Sequence, residues 1–138
     1  MRRAAGAVLL VGLLSGCGPL VQTACPAIGW SNGLRVELPG EWAAGDPVSV
    51  LVTCPSPCTL EVREDQPAVE GRELVADVAG GTASVAFPMT SPDSVVVTVL
   101  AADGAVLAER DADLDWVRVG GTEECGGPAE AAVEVPAP

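Results

Sequence analysis

Hydrophobic and polar residues alternate with a period of two along most of this chain. Leu34, Val36 and Leu38 alternate with Arg35 and Glu37, the spacing of a half-buried β-strand. Val48 to Thr53 is rich in β-branched residues. Leu60 and Val62 alternate with Glu61 and Arg63, and Leu74, Ala76 and Val78 alternate with Val75 and Asp77. Ala83, Val85 and Phe87 repeat the pattern. Ser94 to Ala101 is the most β-prone run, with Val95, Val97 and Val99 on one face. Ala105 to Arg110 and Leu114 to Val119 read as the last strands. Between these runs stand turn residues. Pro39-Gly40 suits the two central positions of a type II turn, and Gly80-Gly81 and Asp103-Gly104 suit tight hairpins. Seven or eight short strands without a helical period predict an all-β fold. The expected architecture is an antiparallel β-sandwich of immunoglobulin-like type, with an open barrel as the alternative.

The two ends of the chain break the pattern. Arg2 and Arg3 precede an apolar run from Ala4 to Leu14, and small residues lead to a cysteine at Leu14-Ser15-Gly16-Cys17. A basic start, a short apolar stretch and small residues describe an export signal. The run is too short for a bilayer span, which takes about 20 residues. The segment resembles the lipobox of bacterial prolipoproteins. That resemblance implies a diacylglycerol on the Cys17 sulfur, cleavage before it, and a mature chain beginning at Cys17. The protein is then expected at the extracytoplasmic face of the cell membrane, held by acyl chains. Cys25-Pro26-Ala27-Ile28-Gly29-Trp30 also resembles the start of small lipoproteins of high-GC Gram-positive bacteria, a group with no activity to transfer. At the other end, Gly126 to Pro138 is mostly Gly, Pro, Ala and Glu, and is expected to be disordered. The expected organisation is a signal over residues 1–16, a lipidated tether over 17–24, one domain over 25–125 and a tail over 126–138.

Charge narrows the partners. Losing residues 1–16 removes two of the seven arginines and none of the nineteen acids, so the net charge moves from −12 to −14. There is no lysine and no histidine. So acidic a chain is not expected to bind nucleic acid, which needs a basic face. Anionic headgroups repel it, and a protein partner is expected to offer a basic face. Without histidine, neither a Ser-His-Asp nor a Cys-His nucleophile can be built. Without lysine, Schiff-base chemistry is also excluded.

Four cysteines remain besides Cys17, and an even number in an exported domain reads as two disulfides. Three connectivities are possible. Cys25–Cys125 with Cys54–Cys58 is the expected pair, because chain ends in compact domains often lie close. Both Cys54 and Cys58 continue apolar strand faces, so their sulfurs are expected to point inward from adjacent strands.

Other residues are candidates for chemistry. Cys54-Pro55-Ser56-Pro57-Cys58 resembles the C-x3-C copper site of Sco-type assembly proteins. That family adds a distal histidine, which is absent here. Asp111, Asp113 and Asp115 share one face if they lie on a strand and offer oxygens for Ca2+, or form a solvated face that discourages edge pairing. Trp30, Trp42 and Trp116 are either packing residues or sugar-stacking platforms. Glu64-Asp65 and Glu123-Glu124 suit glycoside hydrolysis only if they flank a cleft. The expected function is a lipid-anchored accessory or interaction module without catalysis or cofactor. A small-ligand or Ca2+-binding protein is the alternative, and a thiol or copper protein using Cys54 and Cys58 comes third.

Overall fold

Alternation becomes burial in the first strand. The computed structural model describes residues 24–61 and 69–138. The signal, Cys17 and the tether up to Thr23 lie outside these residues, as do Val62, Arg63 and Glu64-Asp65. Strand β1 (Ser31–Glu37) buries Asn32, Leu34 and Val36 and leaves Arg35 exposed. It is followed by β2 (Ser49–Thr53), β3 (Thr59–Glu61), β4 (Val69–Gly71), β5 (Glu73–Ala79), β6 (Thr82–Pro88), β7 (Ser94–Leu100), β8 (Val106–Asp113), β9 (Val117–Arg118) and β10 (Ala129–Glu134). There is no helix among the described residues.

Eight strands make one sheet in the order β8-β7-β2-β5-β6-β1-β10-β9, and β3 and β4 form a separate hairpin. The sheet curls into a half-barrel around one apolar core. One half supplies Leu34, Val85, Phe87 and Val133, and the other supplies Val50, Val52, Val97 and Val99. The halves join at β5 and β6, which pair over only two positions, Val78 with Ala83 and Ala79 with Thr82. Gly80 and Gly81 make that turn at φ +59° and +76°. Two successive positive φ values are what a type I′ hairpin turn demands, and glycine adopts them without a Cβ clash.

The all-β class holds. A purely antiparallel sheet does not, because β10 runs parallel to β1, with Leu34 beside Ala131 and Val36 beside Val133. The expectation of a disordered tail is also corrected. Ala131, Val133 and Val135 are buried, alternating with exposed Ala132 and Glu134. The tail holds its place by pairing, with Val135 N–H on Glu37 O at 2.8 Å and Ala137 N–H on Pro39 O at 3.0 Å. The folded unit therefore runs past Cys125 to the end of the chain.

Two further boundaries move. Strand β8 continues through Asp113 rather than ending at Arg110, and the strand expected from Leu114 shrinks to Val117–Arg118. The reason is Trp116, which turns inward to meet Phe87 edge-on, 5.6 Å between ring centres, and donates from Nε1 to Pro92 O at 2.9 Å. The chain is pulled off the sheet there and rejoins it at β9.

Candidate functional site

Both expected disulfides are present. Cys25 and Cys125 are 5.2 Å apart at Cα and 100 residues apart in sequence. Cys54 and Cys58 are 6.2 Å apart at Cα, and both are buried. Their sulfurs do point inward, but β2 and β3 are not neighbours. Strand β2 lies between β5 and β7, and β3 pairs with β4. The clip is held instead by the end of β4 and the residue after it, where Cys58 N–H meets Gly71 O and Cys54 N–H meets Arg72 O, each at 2.8 Å. Bonded to each other, these sulfurs offer no thiolate to a soft metal.

The three aspartates do not converge. Asp111 and Asp113 are exposed on β8, beside a shallow depression of about 380 Å3 near Cys54 and Val95. Asp115 lies past the strand end and lines a different depression. Among the described residues no set of three acids or cysteines is grouped to hold a metal. The one-face geometry expected of a strand is lost because β8 ends at Asp113.

All three tryptophans are half-buried. Trp116 is a packing residue, as its contacts with Phe87 and Pro92 show. Trp42 packs against the core and directs Nε1 at Leu38 O, 3.5 Å away. Trp30 lies over Gly126, where an added Cβ would come within 3.2 Å of the indole. Glu123 and Glu124 are exposed in the loop before Cys125.

A groove of about 520 Å3 runs along the outer face of β1 and β10. Its floor is made of small or flat positions, Gly33, Ser84 and Ala132. Glu130 stands on β10 beside Val117 in register, and Asp115, Val117 and Val119 line the groove from the β9 side. Val117 and Val119 are 61% and 54% exposed, large values for valines beside a concavity. Arg35 lies in the groove and is paired with Glu37 at 3.0 Å. That pair is solvent-exposed, so it contributes little to stability.

Asn32, which sequence reading did not single out, holds the floor in place. It is 3% exposed, with every polar side-chain atom engaged. Its Nδ2 donates to Thr90 O at 2.7 Å and Ser91 Oγ at 2.8 Å, and its Oδ1 accepts Ala129 N–H at 2.8 Å. One amide thus ties β1 to the β6–β7 connection and to the first residue of β10. The signal in the sequence was a polar residue on the buried parity of a strand, in register with Leu34 and Val36.

Comparison with known protein families, characterised proteins and solved structures gives no match to this chain.

Proposed function

We propose that this chain is a lipid-anchored, non-catalytic interaction module of the cell envelope. Cys17 carries the anchor at the extracytoplasmic face, and the curled sheet serves as a sandwich of immunoglobulin-like kind that presents its outer face to a basic protein partner. The observation that carries this reading is the groove beside β10, with exposed Val117 and Val119 set among Asp115 and Glu130. An apolar centre with a charged surround is the anatomy of a protein contact. The two disulfides support an oxidising compartment. The net negative charge supports a basic partner whose attraction falls as salt rises.

Photo-crosslinking from position 119 in intact cells tests the interaction. A single envelope protein with a basic surface is expected in the crosslink, lost when Val117 is changed to Asp. Crosslinks scattered over many proteins, unchanged by Val117→Asp, would count against a specific site. So would a hydrolytic activity of the full chain that vanishes in Asp113→Asn. Replacing Cys17 with Ala tests the anchor. Release of the chain to the medium, or retention of the uncut form, is expected. An unlipidated wild-type chain by mass spectrometry overturns it.

A further inference from the structure

Strand β10 has one fully paired edge and one that is left open. In a parallel pair, alternate residues direct both backbone polar groups to the same neighbour. Val135 N–H on Glu37 O fixes the phase, so Ala131, Val133 and Val135 face β1. Ala132 and Glu134 direct their N–H and C=O groups the other way. On that side β9 pairs only with Ala129 and Glu130. It stops there because Trp116 draws the chain inward. Among the described residues nothing pairs with the Ala132 and Glu134 amide N–H groups, and one Arg110 N–H reaches across from β8 to cover Glu134 O.

We propose that this open edge is a docking site for an extended, basic segment of the partner, which adds to β10 as a strand next to β9. The inference deepens the interaction reading above and rests on it. Unpaired strand edges are templates for pairing, and strand addition is a recurrent way of binding peptides. The groove lies at this fork, lined by Asp115 and Val117 from the β9 segment and by Ala131 and Ala132 from β10. Charge selects the occupant. Glu130 and Glu134 are exposed on the same face as Ala132, so a partner strand meets them with Lys or Arg. A second copy of this chain is disfavoured. Two antiparallel β10 edges centred on Ala132 or Val133 place glutamates opposite or diagonal to each other, and like charges there repel. Arg110 acts as a removable cover, because an exposed guanidinium donating to a carbonyl competes with the incoming backbone donor.

The test uses the full chain and three eight-residue peptides. One alternates Val and Lys, the second alternates Val and Glu, and the third is the Val-Lys peptide N-methylated at every second residue. In the free protein, Ala132 and Glu134 amides should exchange with solvent much faster than Ala131 and Val133. The Val-Lys peptide should bind, protect the Ala132 and Glu134 amides, and bind more weakly at high salt. N-methylation on the edge that faces β10 should weaken binding roughly thirtyfold, the effect of two lost hydrogen bonds. Arg110→Ala should tighten binding severalfold, and Glu130→Lys with Glu134→Lys should abolish it. No binding of the Val-Lys peptide, or equal binding of the Val-Glu peptide, overturns the proposal. Slow exchange of Ala132 in the free protein does so too, since it means the edge is already occupied. Binding that leaves both amides unprotected overturns the edge assignment alone. The interaction reading is judged separately, by the crosslink from position 119.

Discussion

The side-chain oxygen of Asn32 accepts the backbone N–H of Ala129 at 2.8 Å, across 97 positions of sequence. This bond fixes where the last strand begins against the first. It also completes the hydrogen bonding of a buried amide, which is costly to leave unpaired. Asn32→Ala strands the Ala129 N–H and the Thr90 carbonyl, at about 1–3 kcal/mol for each buried group left unsatisfied. Chemical denaturation of Asn32→Ala should show a loss of at least about 2 kcal/mol. Hydrogen exchange should rise first at Ala131 and Val133. An unchanged midpoint would mean that water replaces the amide without cost.

Removing residues 129–138 should be severe. The cut deletes Ala131, Val133 and Val135 and uncovers Leu34 and Val36 along β1. Each buried valine is worth about 1.5–3 kcal/mol, so two of them approach the net stability of a small domain. A truncated chain that melts at the temperature of the full chain would show that β10 does not dock in solution.

The two disulfides should differ in weight. In the chain-entropy description, a loop of about 100 residues is worth ~4.7 kcal/mol and a loop of five about 2 kcal/mol. Cys25→Ser with Cys125→Ser should therefore lower stability by roughly twice as much as Cys54→Ser with Cys58→Ser. Equilibrium unfolding of the two double variants decides between them. A larger loss from the short clip would locate its contribution in core packing, since Cys54 and Cys58 are buried and Cys25 is exposed.

Gly121→Ala should disrupt the loop that carries Cys125. Gly121 has φ +73°, and a Cβ there would collide with the backbone of Gly126 and Gly127. The two glycine pairs, 120–121 and 126–127, cross at backbone contact, and Thr122 N–H bonds Gly126 O at 3.1 Å. A loss of several kcal/mol, or an unpaired Cys25 on thiol counting, is the expected outcome. Gly104→Ala is the control, because its positive φ carries strain but a Cβ there meets open space. Its cost should be about 1 kcal/mol.

Local pattern was enough for the strands whose alternation is long and strongly apolar. Leu34, Val36, Val50, Val85, Phe87 and Val97 were legible as core because a half-buried strand repeats every second residue. Gly80-Gly81 was legible as a turn because its geometry excludes most other residues. Cysteine parity pointed to the two bridges. The tail was misread for a physical reason. Its alternation of Ala131, Val133 and Val135 with exposed positions is short and weakly apolar, so it has no stability of its own. Its partner β1 lies about a hundred residues away, and only that pairing makes it a strand. The single strand face expected for Asp111, Asp113 and Asp115 holds only as far as Asp113, because Trp116 packs on Phe87 and β8 ends before Asp115. The sequence by itself determined an all-β, acidic, doubly bridged chain without histidine or lysine. Tertiary structure alone decided the parallel β1–β10 pair, the buried role of Asn32 and the open edge at Ala132 and Glu134. Each of these depends on which distant segments meet, and one strand's pattern does not encode its neighbour.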